Sequence, residues 1–84
     1  MSAMSNFPIK PRKKLTVADI FDFPPNTQKI ILSLLNLEKA TVKKLQEETK
    51  FYSSDILTIC RKLVRLGYIG EDRSNGDIIF FCNI

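Results

Sequence analysis

Residues 40–69 of this 84-residue chain read ATVKKLQEETKFYSSDILTICRKLVRLGYI, two helical patterns joined by a short turn. Thr41 comes directly before the first pattern and is predicted to be its N-cap, because a threonine hydroxyl accepts a hydrogen bond from the free amides of a first helical turn. The second pattern has Tyr52 or Ser53 near its cap. It ends at Gly67, since glycine readily adopts the left-handed conformation that follows a helix. The stretch therefore predicts two consecutive helices.

The second helix has an apolar side and a polar side. At about 100° per residue, Ile56, Cys60 and Leu63 share one stripe, with Ile59 and Leu66 beside them. Such a stripe predicts the side that faces the core. The polar side offers the donors and cations that DNA phosphates and base edges require, although an ordinary solvent-facing side has the same pattern. Its residues are Ser54, Thr58, Arg61, Lys62 and Arg65.

Three residues of this helix fit a nucleic-acid face poorly. Leu57 and Val64 widen the apolar side onto a flank that a groove-bound helix normally keeps polar. Asp55 places a carboxylate in the first turn, where it suits the helix dipole but repels a phosphate. Leu57 and Val64 are therefore candidates for a protein-binding surface.

Two segments after Gly67, YIGEDR and DIIFFCNI, flank a Ser-Asn-Gly sequence. Asn-Gly between apolar runs is a strong hairpin signal and predicts two antiparallel strands. The last strand is apolar on both faces, because Ile79 and Phe81 alternate with other apolar residues. Its second face is either covered by the segment LTVADIF or paired with another subunit, so Ile79 and Phe81 are candidate interface residues and a homodimer remains open.

Two helical segments precede this region. Thr16 and Asp19 fit a capping box that starts a short helical turn. The sequence FPP at 23–25 ends that turn, because a residue before proline avoids the helical conformation. A longer helix is expected to begin at Asn26 or Thr27, either of which could cap it, and to continue through QKIILSLLNLE. The fold class is therefore α+β, mostly α with a small β-hairpin.

The surplus of positive charge lies in the first 14 residues, MSAMSNFPIKPRKK, which contain no acidic residue. Basic and acidic residues balance over the predicted domain, residues 15–84. With two prolines and little apolar periodicity, residues 1–14 are expected to form a flexible arm. Such an arm could bind nucleic-acid phosphate or an acidic protein surface, or serve only to keep the chain soluble. Its basic residues are Lys10, Arg12, Lys13 and Lys14.

The residue types present exclude several kinds of chemistry. The chain has no histidine and two cysteines, Cys60 and Cys82, which are too few ligands for a tetrahedral zinc site or an iron–sulfur cluster. Without histidine an enzyme would have to rely on carboxylates or lysine, so we expect no catalytic site, no metal and no cofactor. No apolar stretch approaches the roughly 20 residues that cross a bilayer, and no signal-peptide pattern is present, which predicts a cytoplasmic protein without membrane contact.

In its order of elements and in residues 40–69, the chain resembles the winged helix-turn-helix family of bacterial and archaeal transcription regulators, and it is MarR-like in pattern. The resemblance covers about residues 27–82 and includes an apolar plug, Phe51, in the turn, and the closing Leu-x-x-x-Gly-Tyr-Ile. It implies three main helices, a C-terminal two-stranded wing and a short N-terminal helical turn. Lys50 stands where that family usually has glycine, and in a left-handed conformation it would carry strain of about 1 kcal/mol.

The resemblance implies that helix 53–66 enters the major groove of double-stranded DNA. The wing is less suited to DNA, because Glu71, Asp72 and Asp77 outnumber its single Arg73. The groove-facing residues would be Tyr52, Ser53, Ser54, Thr58, Arg61, Lys62 and Arg65. Backbone contacts would come from Thr41, Lys43, Lys44 and Arg73, and the wing tip would be Arg73, Ser74, Asn75 and Gly76.

Two functions follow from these observations. The first is sequence-dependent binding of double-stranded DNA as a transcriptional regulator, with a dimer reading two half-sites and a nucleoid location. The cluster of Arg61, Lys62 and Arg65 favours it. The second is a winged-helix protein–protein interaction module within a larger nucleic-acid-processing assembly, which the acidic wing favours.

Overall fold

The computed structural model describes residues 9–73 and 76–82. These residues form four helices and a three-stranded antiparallel sheet with the strand order β1-β3-β2. The arrangement is α+β and winged-helix-like, which confirms the predicted fold class. The helices are α1 (Val17–Asp22), α2 (Pro25–Leu37), α3 (Val42–Thr49) and α4 (Ser53–Leu66), and the strands are β1 (Lys39–Thr41), β2 (Ile69–Asp72) and β3 (Ile79–Cys82).

The first two helices begin for different local reasons. The predicted capping box of α1 is confirmed, because Thr16 Oγ1 accepts from Asp19 N and Asp19 Oδ2 accepts from Thr16 N, both at 3.1 Å. The prediction that a polar side chain, Asn26 or Thr27, caps α2 is wrong. This helix begins at Pro25 without a side-chain cap. Proline suits a first helical position because its φ is already helical and it has no amide that needs a partner.

The core lies between the helices and one face of the sheet. In α4 the predicted stripe is buried at Ile56, Cys60 and Leu63. The prediction is wrong at Leu66, which is 39% exposed, because a groove separates the end of α4 from the start of α2. The buried apolar residues are Ile30, Ile31, Leu34, Ala40, Leu45, Ile56, Cys60, Leu63, Ile69 and Phe80.

Strand β1 has no counterpart in the predicted order of elements. It pairs with β3 in a register that places Lys39 opposite Phe81 and Thr41 opposite Ile79. Three residues are too short for an alternating pattern, so this strand forms through its pairing partner and not through its own sequence. Both edges of β3 are hydrogen-bonded, because it is the central strand of the sheet. Its two faces differ in burial: Phe80 is fully buried, while Ile79 and Phe81 are half-buried on the other face.

Candidate nucleic-acid interface

The turn between α3 and α4 sets the position of α4. Lys50 follows α3 with φ 65° and ψ 17°, the left-handed conformation considered for it above, and its amide donates to Gln46 O at 2.8 Å. Thr49 is 2% exposed, donates from its hydroxyl to Leu45 O at 2.8 Å and accepts from the amide of Phe51 at 3.2 Å. The buried hydroxyl of Thr49 therefore fixes both sides of the turn, a role that the sequence pattern alone did not indicate.

The polar face of α4 is exposed along its length. Thr58 is held against its own helix, because its hydroxyl donates to Ser54 O at 2.9 Å. No ion pair among the described residues uses a cation of α4, since the two that occur lie on α3 and on the wing. The exposed residues of this face are Ser54, Thr58, Arg61, Lys62 and Arg65, and Ser53 is exposed at the first position of the helix, outside this face.

Two of the predicted contact residues lie at the starts of helices. Tyr52 is the N-cap of α4, makes no side-chain capping bond and is 78% exposed. Thr41 caps α3, and its Oγ1 accepts from Lys44 N at 3.1 Å, so this oxygen is already occupied by its own helix. Lys43 and Lys44 are exposed beside it, and Lys44 Nζ lies 4.0 Å from Glu47 Oε1. At that exposure the ion pair is weak and leaves the lysine available.

The flank of α4 that was predicted to be free for a protein partner is partly used for packing. Leu57 and Val64 are half-buried and lie against the core. Leu57 also lines a shallow cavity of about 370 Å³ with Lys43 and Ile78, between the start of α3 and the wing. These two residues therefore contribute to stability as well as to the surface.

The described part of the wing carries negative charge at its surface. Arg73 Nε donates to Glu71 Oε2 at 2.6 Å, and Glu71 is only 6% exposed, so Arg73 neutralises a buried carboxylate. Glu71 lies in β2, and Arg73 follows directly after the last residue of that strand. Asp77 is exposed. The predicted tip residues Ser74 and Asn75 lie outside the described residues, and Gly76 has φ 86°.

Residues 9–13, which we call the N-terminal strap, are hydrogen-bonded to the domain over the described part of the predicted arm. Ile9 and Glu71 exchange two backbone hydrogen bonds of 2.8 Å along the free edge of β2. Pro11 has no amide for the next bond of such a ladder, so the pairing stops after one residue pair. Residues 1–8 lie outside the described residues.

The strap continues to the end of α4. The amides of Arg12 and Lys13 both donate to Gly67 O, at 2.7 and 2.8 Å, and Arg12 Nη2 donates to Arg65 O at 2.9 Å. Lys13 Nζ lies 5.3 Å from the centre of the Tyr68 ring. Arg12 therefore satisfies a carbonyl at the C-terminus of a helix, where a positive charge is favourable. Lys10 and Lys14, at either side, are exposed.

The two cysteines are free thiols without the character of a reactive site. Burial raises the pKa of Cys60 to about 12, with smaller contributions from Cys82 and Glu71. Burial also raises the pKa of Cys82 to about 11. Both thiols are protonated at neutral pH, and the thiolate is the form that attacks or binds metals. Within residues 9–73 and 76–82 there is no cluster of acidic and sulfur ligands that could hold a metal ion.

No protein-family model and no curated protein matches this chain. In the ranges described above, no helix is both long enough and apolar enough to cross a membrane. The assignment of a function therefore depends on the geometry of α4, the wing and the N-terminal strap.

Proposed function

We propose that this protein binds double-stranded DNA as a transcriptional regulator, with α4 in the major groove. The observation that carries the proposal is the exposed face of α4, where Arg61, Lys62 and Arg65 lie with the hydroxyl side chains of Ser54 and Thr58 on one side of a 14-residue helix. A major groove admits a helix of this kind, and arginine and lysine make the commonest specific contacts to guanine. The helix follows α3 and a tight turn, which is the order of elements in the winged helix-turn-helix family that the sequence resembles.

Phosphate contacts are assigned to residues around this helix. Lys43 and Lys44 at the start of α3 supply one group of exposed cations. Lys10 in the strap and Lys14 directly after it supply another. Arg73 is the weakest of the backbone candidates, because its guanidinium already pairs with Glu71.

The proposal is tested by titrating a mixed-sequence duplex against the full chain at two salt concentrations, with fluorescence anisotropy as the readout. The variant Arg61→Ala/Arg65→Ala should weaken binding at least tenfold, since each arginine contact to a base or phosphate contributes about 1–3 kcal/mol. Lys29→Ala/Lys39→Ala removes the same charge from α2 and β1 and is the matched control, which should bind nearly as the wild type. Equal losses in the two variants would leave only non-specific electrostatic attraction and would contradict the role of α4.

The contribution of the strap to phosphate binding requires substitutions and not a deletion, because deleting residues 1–14 would also remove the hydrogen bonds to Gly67 and Glu71. Lys10→Gln/Lys14→Gln keeps those bonds. If both lysines contact phosphate, the slope of log K against log salt should fall by up to about 1.8, at ~0.9 for each lost contact. An unchanged slope would remove both lysines from the interface.

A second function, a protein–protein interaction module within a larger nucleic-acid-processing assembly, is favoured by the wing. Its described surface carries Asp77, and its arginine pairs with the buried Glu71, so it offers DNA backbone no free cation among the residues described there. This function predicts no duplex binding at physiological salt beyond the contribution of the basic residues 10–14. The half-buried Ile79 and Phe81 on the second face of β3 would then be candidate contact residues, together with the Leu57/Val64 flank.

The oligomeric state is part of the proposal. A single small module usually buries too little surface for high specificity, so we expect a homodimer that reads two half-sites. Sedimentation equilibrium of the free chain and of its duplex complex tests this point. One chain per duplex at saturation would contradict the dimer but leave the role of α4 intact. A DNA-binding regulator of this kind would act in the cytoplasm, at the nucleoid.

A further inference from the structure

A groove of about 400 Å³ runs between α4 and the junction of α1 and α2. Phe23 and Pro24 line it at the junction, and Ile59, Leu63 and Leu66 line it on α4. Leu66 is 39% exposed, so the groove presents apolar surface to solvent. A concave, mostly apolar surface of this volume lies in the size range of binding sites in proteins, roughly 300–1,000 Å³.

The edge of the groove formed by α4 is basic. Lys62 lines the groove together with Thr58, and Arg65 lies one turn beyond Lys62 on the same helix. Both cations are exposed, and the two ion pairs found among the described residues involve neither of them. The groove therefore combines an apolar floor with positive charge along one side, and its complement is a ligand that is apolar on one face and acidic along one edge.

The other edge of the groove has a different character. It is formed by Phe23, Pro24 and Thr27, none of which carries a charge. Apolar groups of a ligand thus find surface on both edges, whereas its acidic groups are attracted only to the α4 edge.

We propose that this groove binds a short, acidic amphipathic helix from a partner protein. Apolar residues of that helix, spaced four apart, enter between Phe23 and Leu66, and its carboxylates face Lys62 and Arg65. Helix-in-groove recognition uses this combination of apolar anchors and flanking charge. DNA is acidic but has no row of apolar groups to fill the groove, so the charge complementarity together with the apolar floor selects a protein segment.

The partner helix and DNA compete for the same part of the surface. Thr58 and Lys62 line the groove and also belong to the exposed face of α4. A bound acidic helix would therefore occupy cations that a duplex needs. The competition rests on the proposed DNA-binding function, whereas the peptide site itself does not.

The test uses the isotopically labelled full chain and a synthetic peptide of about 15 residues, long enough for some helicity in isolation. The peptide contains glutamate, aspartate, leucine and phenylalanine, with its apolar residues on one helical face. The control peptide has the same composition, shuffled so that no apolar face forms. The first peptide should shift the amide resonances of Ile59, Leu63 and Leu66, and the shuffled peptide should shift them far less. Equal shifts from both peptides, or shifts confined to other elements, would overturn the proposal.

Two variants locate the site. Leu66→Asp should weaken binding of the amphipathic peptide by a factor of about ten or more. The substitution removes an apolar contact and places a negative charge opposite the carboxylates of the peptide. Leu32→Asp, at a 54% exposed leucine of α2 outside the groove, is the matched control and should leave the affinity unchanged. Undiminished peptide binding by a folded Leu66→Asp variant would overturn the proposal.

A separate titration with duplex DNA distinguishes this proposal from the DNA-binding function. Arg61 does not line the groove, so Arg61→Ala should weaken duplex binding and leave peptide binding intact. Peptide binding at the groove without any duplex binding would support the groove and contradict the DNA-binding function. Duplex binding without peptide-induced shifts would support the DNA-binding function and overturn the groove proposal. Decanoate, a small amphipathic acid, is titrated in a further sample. If decanoate shifts the resonances of the groove and the peptide does not, the groove binds small amphipathic acids and the proposal is overturned.

Discussion

Replacing Lys50 by glycine should stabilise this protein. Lys50 has φ 65° and ψ 17° at the junction of α3 and α4. In the left-handed conformation a Cβ atom crowds the carbonyl oxygen and costs roughly 1–2 kcal/mol, a contact that glycine lacks. Glycine also gives the unfolded chain more freedom, which costs about 0.4–1 kcal/mol. The difference is a gain on the order of 0.5–1 kcal/mol in the free energy of unfolding.

The matched control is Lys50→Ala, which removes the exposed side chain but keeps the Cβ atom. Its free energy of unfolding should stay within about 0.5 kcal/mol of the wild type, as for most surface substitutions. Urea denaturation followed by circular dichroism measures both variants, and equal m values show that the same transition is compared. For a domain of this size, the gain in Lys50→Gly corresponds to a melting temperature higher by roughly 2–8 °C.

A Lys50→Gly variant no more stable than Lys50→Ala would refute this reasoning, because the two differ only in the strained Cβ atom and in chain freedom. Both variants retain the bond from the amide of residue 50 to Gln46 O, at 2.8 Å in the wild type. Since the turn already has the conformation that glycine favours, α4 should keep its position. Duplex affinity of Lys50→Gly should therefore equal that of the wild type.

Three further predictions concern the strap, the sheet and the thiols. Arg12→Ala should lower the free energy of unfolding by about 1 kcal/mol through loss of its bond to the end of α4, while Lys14→Ala should not; urea denaturation compares them. Gly70→Ala should cost about 2 kcal/mol, because a new Cβ atom would meet both the strap backbone, at 2.6 Å, and an aromatic ring of β3. The raised pKa values of Cys60 and Cys82 contribute stability that is complete below about pH 9 and declines as the pH rises toward 11–12, since the unfolded chain then binds fewer protons than the folded one. A Cys60→Ala/Cys82→Ala variant should therefore show a shallower decline between pH 9 and 11, measured by urea denaturation at each pH.

Features with a local physical cause could be predicted from the sequence. The capping box at Thr16 and Asp19, the left-handed Gly67 and the cap at Thr41 each depend on a few neighbouring residues. The polar face of α4 follows from helical periodicity alone. The possibility of a left-handed backbone at Lys50 was raised by comparison with the winged-helix pattern and not by its neighbours in sequence, and residue 50 has φ 65°.

Features that depend on distant partners could not be predicted in this way. Strand β1 exists because three residues pair with β3, and their own sequence carries no strand pattern. The bond between Arg12 and Arg65 O joins residues 53 positions apart, and the sequence PIKPRKK resembles any basic tail. The pairing of Glu71 with Arg73 had a weak signal in the sequence, two opposite charges separated by one residue. Helical periodicity shows which side of α4 is exposed, but it does not show whether that side binds DNA or a protein.

The N-terminal strap also constrains the order in which this protein can fold. A ribosome releases Ile9 and Arg12 long before the residues that they bind, Glu71 and Gly67. The strap therefore has no docking surface until β2 has formed beside the end of α4, and closing so long a loop carries an entropic cost that grows with its length. Helical contacts between neighbouring segments form earlier, so strap docking should come late in folding. The strap is thus synthesised before its docking surface and is among the last segments to reach its final position.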